Sequence, residues 1–462
     1  MQTVDIDVAT ASPLAARVSP KAVLSLFQYI RKVHDNALAG FAQEMFDNPI
    51  VETSYWKLHT FTVSDPAGIK HVLVDNVSNY IKGEIEQRIS LASPDRISEV
   101  SKQGDWGRRR ELIAQSFDRS MVEDSATMLD AAEGRLSKWR SLPPGATVEV
   151  SKEMRAITLE AISRILFSSD WLHMAHAMEI VSRHDQDERT IYLCDFIPAL
   201  DRLGRAYRGY RRRRVFETLN VAVDRLISIR AQRDSPPHND FLSLLIRESD
   251  PTTGKGLSAD TLHSLIPIVL GAGFETVALT LMWTWYLLSQ NPSQEATLHA
   301  ELDRVLAGRR PELKDLATLT YTRYVVEEVL RLYPPLHTMA WRMALESDVV
   351  SGVRIPKGST VTIAPWVLHR HSKLWDDPER FDPERFSPDR SRGRSAFAYL
   401  PFGLGPRVCV GARFAMTETM LILATIAQHY RLRLAPGHRV EPRALILLQA
   451  RNEIKMTLES RY

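Results

Sequence analysis

Phe402-Gly403-Leu404-Gly405-Pro406-Arg407-Val408-Cys409-Val410-Gly411 sets one cysteine among glycine-bearing turns, two residues after an arginine and just ahead of a helix-like segment. Glycine permits positive φ and close backbone approach where a side chain would clash. Strong helix formers run on from Ala412, so Cys409 sits near a helix N-terminus. The partial positive charge there favours thiolate over thiol, and Arg407 adds a fixed cation. The combination suits a thiolate that must approach a flat, anionic, metal-bearing ring. For this loop taken alone, a structural cysteine in a Gly-rich turn is the plainer alternative.

Three further groups carry potential chemistry. Ala272-Gly273-Phe274-Glu275-Thr276 places an acid beside a hydroxyl in a long apolar stretch. Adjacent helix residues do not share a face, so Glu275 and Thr276 splay apart, one toward a ligand and one toward water. Gly273 removes bulk and lets a ligand near the helix; a local hydrogen-bonded kink is the alternative. Glu328 and Arg331 lie three apart on one helix, within pairing distance. Trp106 and Arg110, four apart, share a face, and an arginine offers a forked donor set to a carboxylate.

These residues need a large, mostly helical frame. Helical periodicity covers 20–46, 107–139, 150–167, 207–233, 258–290, 293–307, 320–333 and 412–430. Strand-like pieces are short: Leu58–Val63 ahead of a helix opening at Asp65-Pro66, a hairpin over Val349–Ile363 around Ile355-Pro356-Lys357-Gly358, Ala444–Leu448, and Glu453–Leu458. The fold class is therefore mainly α with a small β part. The 462 residues would suggest several domains, but no linker is visible, so a single domain over 1–462 is expected, with a short flexible segment at about 1–18.

Composition narrows the class. The chain is 44% hydrophobic and 25% charged, with a net charge of +3, which points to neither nucleic acid nor a membrane. Two cysteines, Cys194 and Cys409, exclude a disulfide framework and fit a reducing compartment. The first twenty residues hold no apolar run of anchor length. Leu265–Leu288 is apolar, but Glu275 at its centre is costly in lipid, and a buried core helix fits better. A cytoplasmic protein with no transmembrane anchor is expected. The basic run Arg205–Arg214 reads as a solvated helix face, with membrane-surface contact as the alternative.

The Cys409 loop closely resembles the haem-ligand loop of the cytochrome P450 superfamily, with Phe402, Gly405, Arg407, Cys409 and Gly411 at that family's spacing. Gly273-Phe274-Glu275-Thr276 resembles its acid–alcohol pair. Glu328 and Arg331 resemble its buried ion pair, joined by the arginine of Pro383-Glu384-Arg385-Phe386; Arg380, in the near-repeat just before it, is the rival. The resemblance runs in family order from Trp106 to Gly411. It implies the family fold, with haem between the long central helix and the cysteine loop, and reductive activation of dioxygen. Cys409 would be the iron ligand, with heme b (iron protoporphyrin IX) as cofactor and O2 as co-substrate. Thr276 and Glu275 would relay protons. Arg407, Arg342, Trp106 and Arg110 would hold the propionates, and Phe402 and Gly403 would pack near the sulfur.

A hydrophobic small-molecule substrate is implied, hydroxylated or epoxidised, with 84–100, 191–203, 268–276, 336–340 and 444–448 around it. Cys194 reads as a small hydrophobe in that region. No flavin or iron–sulfur segment follows the loop, so electrons come from a separate ferredoxin or flavoprotein, and from NAD(P)H only indirectly. Arg407 and Arg413, with Arg108 and Arg109, would steer an acidic donor. A peroxygenase or isomerase on the same scaffold, and a haem sensor without turnover, are the alternatives.

Overall fold

Ser258 starts the longest helix: its hydroxyl accepts the N–H of Thr261 at 3.2 Å and satisfies one orphan donor of the first turn. In this computed structural model, which describes residues 26–55, 58–83, 107, 110–111, 113–115, 117, 125–168, 171–185, 210, 217–230, 240–247 and 257–461, ten helices carry the argument. They are α1 (Leu26–Asp35), α2 (Pro66–Lys70), α3 (Ser125–Arg140), α4 (Val150–Phe167), α5 (Trp171–Asp185), α6 (Phe241–Arg247), α7 (Ala259–Gln290), α8 (Pro292–Leu306), α9 (Thr320–Leu332) and α10 (Ala412–His429). Trp106, Arg108, Arg109, Cys194, the 1–18 segment, 84–100 and 191–203 lie outside the described residues, as does all of 205–214 except Tyr210.

Helix α7 runs 32 residues through the middle of the protein. Its most apolar window has a mean hydropathy of 1.9 and is 67% buried, so it is long and apolar enough to cross a membrane yet packs as a core helix. Asn291 ends it, donating its side-chain amide to the Leu287 carbonyl at 2.7 Å, and Pro292 opens α8 in the next turn. Trp283 of α7 stacks on Tyr333, centroids 4.1 Å apart, at the centre of the largest apolar cluster.

The β part is a five-stranded sheet in the order β1 (Ile50–Tyr55), β2 (Leu58–Val63), β8 (Thr360–Ile363), β5 (Ala340–Ala344), β3 (Tyr80–Lys82). Strands β2 and β8 are parallel although about 300 residues separate them; the other pairs are antiparallel. A second sheet orders β4 (Thr147–Glu149), β12 (Lys455–Ser460) and β9 (Tyr430–Leu434), and two hairpins pair β6 (Asp348–Val350) with β7 (Val353–Ile355) and β10 (Pro442–Ala444) with β11 (Leu448–Ala450).

Several expected boundaries move. The 20–46 helix breaks at Asn36, whose side chain accepts the N–H of Ala444 at 2.9 Å and donates to Pro442 at 3.0 Å, so two short 3₁₀ turns replace its second half. The hairpin of 349–363 turns at Ser351-Gly352, both at positive φ, rather than at Pro356-Lys357-Gly358. The strand that follows leaves the hairpin and joins the large sheet. Ala444–Leu448 is the tip of the β10–β11 hairpin rather than a strand.

Candidate active site

The cysteine loop closes on itself. Cys409 N–H donates to the Phe402 carbonyl at 2.7 Å, and Val408 N–H donates to Gly405 at 3.1 Å. Gly403 and Gly405 have φ of +78° and +72°. A Cβ on Gly405 would lie 2.2 Å from the Leu73 carbonyl oxygen, so only glycine lets the loop rest on the 71–75 backbone. Arg110, itself helical, donates to the Val408 carbonyl and so is tied to the loop. Gly411 begins α10, and its N–H bonds to the Cys409 sulfur.

The Cys409 thiol is reachable by solvent though many protein atoms surround it. Burial pushes it up from the ordinary thiol range, while the Gly411 N–H and the Arg110 charge pull it toward thiolate. Phe402 is half-buried against the main core. Arg407 ends the turn that begins at Gly405. Arg342 is buried on β5 between Lys82 of β3 and Val361 of β8.

On α7, burial is interrupted where the polar pair sits: Ala272 is exposed and Gly271, Gly273, Glu275 and Thr276 are half-buried, while Phe274 and Val277 on either side are buried. The pair splays as its spacing requires. Glu275 accepts from Arg155 of α4 at 2.8 Å, and Arg155 lies 3.8 Å from Glu453. Thr276 donates to the Ala272 carbonyl at 2.8 Å, a bond within its own helix. Gly273 has a packing reason: a Cβ there would lie 3.2 Å from Ile162 of α4. Its missing side chain makes room for the neighbouring helix. Arg155 also lines a polar cleft of about 160 Å³ with Ser151, Met282, Asn452 and Glu453.

Beneath the loop lies a fully buried ion network. Arg331 grips Glu328 through two bonds of 2.6 and 2.7 Å, both side chains at 0% exposure. Arg385 stands 3.4 Å from the same carboxylate, while Arg380 contributes only its backbone carbonyl to Arg331. Arg331 also donates to the carbonyls of His369 and Pro378 and lies over the Trp375 ring at 5.1 Å. His369 carries the network to the loop: its Nε2 accepts the N–H of Leu400 at 2.9 Å, two residues before Phe402. Burial and the Arg331 charge pull His369 down to about 3, so it is neutral and free to accept.

Two segments expected near the substrate are joined directly. His337 is buried, donates from Nε2 to Leu445 at 3.1 Å, and is pulled down to about 4 by burial. Leu448 N–H donates to Pro335 at 2.9 Å, and the Trp283 indole donates to Leu448 at 3.2 Å. The 335–338 segment, the β10–β11 tip and α7 therefore meet.

Sequence reasoning missed Arg155, which lies in phase with buried Ser151 and Thr158 on α4 and could have been found as a lone cation on that face. It also missed Glu418 of α10. Burial holds that carboxyl well above its usual range, and neither oxygen has a hydrogen-bond partner. No local signal marks it.

The Cytochrome P450 family model matches residues 20–458. The chain belongs to the cytochrome P450 family. This P450 is 36% identical to cyclooctatin synthase of Streptomyces melanosporofaciens, over 75% of each chain. It is 34% identical to cyclooctat-9-en-7-ol 5-monooxygenase of the same organism, over 84% of this chain and 83% of that one. It is 32% identical to pentalenene oxygenase of Streptomyces avermitilis, over 77% and 78%. Among solved structures it matches the cytochrome P450DA heme domain with a TM-score of 0.79 and 24% identity, over 96% of this chain and 97% of the other.

This P450 is thus a monooxygenase for hydrophobic substrates, dependent on haem, O2 and reductant delivered by a partner. Its own residues fit a haem. A solvent-reachable sulfur, an N–H and a guanidinium that partly offset its burial, and glycines that clear the backbone make a thiolate donor site for iron.

Proposed function

We propose that this P450 binds heme b through Cys409 and inserts one oxygen atom of O2 into a cyclic terpenoid, by hydroxylation or epoxidation. The observation that carries the haem reading is the solvent-reachable Cys409 thiol, set among positive-φ glycines, with the Gly411 N–H and the Arg110 charge partly offsetting the burial that pushes it up. Haem bound there supplies dioxygen activation, with the thiolate pushing electron density to iron and favouring O–O cleavage. The terpenoid class is supported by relatives named for cyclooctatin, cyclooctat-9-en-7-ol and pentalenene. Apolar residues in the expected lining segments agree with it: Val269, Met339, Ala340, Leu445 and Leu448 are buried or half-buried there.

The chain works as one domain in this reading. Arg342, Arg407, Arg110 and Trp106 hold the propionates, and Phe402 and Gly403 pack beside the sulfur. Thr276 keeps a proton at Oγ1, shared with the Ala272 carbonyl, and can release it while its lone pairs accept another. Glu275 is held toward α4 by Arg155, which lines the polar cleft, and exchanges protons with water on that side of α7. Electrons come from a separate ferredoxin or flavoprotein, and through it from NAD(P)H. Arg413, exposed on α10 near the loop, belongs to the face that would receive an acidic donor. The setting is cytoplasmic.

Reconstitution with a ferredoxin and its reductase tests this, comparing cyclic diterpene and sesquiterpene substrates with fatty acids of similar carbon number. Oxygenated terpenoid is expected from the wild type. Thr276→Ala is expected to bind haem and substrate as before but to release more peroxide and less product per reducing equivalent. Oxidation of fatty acids alone would overturn the substrate class, and unchanged coupling in Thr276→Ala would remove Thr276 from the relay.

A further inference from the structure

The segment that supports the cysteine loop from outside is itself unusual. Residues His71–Asp75 continue α2 as a single π turn, closed by the Asn76 N–H on the His71 carbonyl at 2.8 Å. Such turns are rare and give up the tighter α-helical hydrogen bonding, so something must hold them. The Leu73 carbonyl in the middle of this turn is the backbone atom against which Gly405 rests.

One carboxylate oxygen grips both ends of the turn. Asp348 Oδ2 accepts from His71 Nε2 at 2.8 Å and from Asn76 Nδ2 at 3.0 Å. In an α-helix, residues five apart splay around the axis. The wider π winding lets positions 71 and 76 reach one acceptor, so the clamp favours π over α here. Tyr80 at the start of β3 donates its hydroxyl to the same oxygen at 2.8 Å, and the Val349 N–H donates to Oδ1 at 2.8 Å. Burial disfavours the ionised carboxyl, but the bonds from His71, Tyr80, Val349 and Asn76 outweigh it and hold Asp348 down at about 2. It stays charged through the working pH range.

We infer that Asp348 is a positioning residue for the Cys409 thiolate: by clamping His71 and Asn76 it fixes the π turn, and the turn's Leu73 carbonyl sets where the loop from Gly405 to Cys409 can sit. This inference rests on the reading that Cys409 ligates haem. If the turn relaxes to α-helical winding, the Leu73 carbonyl moves, Gly405 loses its stop, and the sulfur is no longer held in one place.

The test uses full-length, haem-loaded Asp348→Ala, with Asn76→Ala as a milder variant that removes one of the bonds on Oδ2. Asp240→Asn, which disturbs a buried carboxylate bonded to Ser168, Arg230 and Ser243, serves as a control for general loss of stability. The readouts are the reduced carbon monoxide spectrum and the haem reduction potential. Both clamp variants are expected to lose part of the thiolate-type band and to shift the potential upward, more in Asp348→Ala. Asp240→Asn is expected to lower Tm with neither change. Thiolate band and potential unchanged in Asp348→Ala and Asn76→Ala would overturn the inference. The same outcome in Asp240→Asn as in the clamp variants would reduce Asp348 to a purely structural residue and overturn it too. Failure of the wild type to give the thiolate band would instead refute the haem-thiolate reading beneath it.

Discussion

Glu328→Gln is expected to cost about 3–5 kcal/mol and to leave little haem-loaded protein, because it strands Arg331 and Arg385 in the interior. Both partners of the main pair are at 0% exposure, so water cannot take over the lost charge. That loss is a large share of the roughly 5–15 kcal/mol that holds an ordinary domain folded. Arg385→Ala should be similarly severe. Arg380→Ala should cost less than about 1 kcal/mol, since Arg380 reaches the network through its backbone only. Urea unfolding and haem content, measured side by side, check the contrast. Equal losses at 380 and 385 would contradict the network as drawn.

The network also carries a pH signature. His369 is about 3 in the folded protein and near 6.5 when unfolded, so below about 6.5 the unfolded chain binds the extra proton. Its share of stability is full above that value and is lost as pH falls toward about 3. In the folded protein the ring stays neutral and keeps the Leu400 anchor until pH approaches about 3, where a protonated ring can no longer accept the Leu400 N–H.

Gly405→Ala is expected to have the next largest effect, about 2–5 kcal/mol from two sources. A left-handed φ costs a side-chain-bearing residue about 1–2 kcal/mol, and forcing atoms into filled space adds about 1–3 kcal/mol. At Gly405 both apply, since φ is +72° and the new Cβ would sit 2.2 Å from a backbone oxygen that has no rotamer to change. Gly437 isolates the first source: its φ is also +72°, but nothing lies within 4 Å of its Cβ position. Gly437→Ala should therefore lose only the conformational part and keep its haem. Gly405→Ala should lose stability and haem retention together. Equal stability of the two variants would mean that the loop does not rest on Leu73.

The long helices were legible because their signals are local. Apolar residues at helical spacing, Ser258 at the start and Asn291-Pro292 at the end bracket α7 without reference to the rest of the chain. The strands were harder for the opposite reason. β2 depends on a parallel partner about 300 residues away, and β5 owes its register to both β8 and β3. Ile355-Pro356-Lys357-Gly358 has the composition of a hairpin turn, yet the chain turns earlier at Ser351-Gly352, because β8 is claimed by the large sheet.

The same division runs through the site. The glycines around Cys409 and the Glu328–Arg331 spacing could be read directly, and of the two near-repeat arginines it is Arg385, not Arg380, whose side chain stands at the Glu328 carboxylate. Gly273 also has a packing constraint that the sequence did not show, since its bulk is limited by Ile162. Arg155, His369 and Asp348 matter through partners far off in sequence: Glu275, Leu400 and the 71–76 turn. Nothing within a few residues of any of them announces that partner.

The most direct test of the central claim is the carbon monoxide difference spectrum of the purified, dithionite-reduced protein, recorded beside Cys409→Ser. The account predicts a strongly red-shifted Soret band in the wild type that Cys409→Ser loses. A band at the position typical of imidazole ligation, no haem at all, or a red-shifted band that survives Cys409→Ser would contradict it.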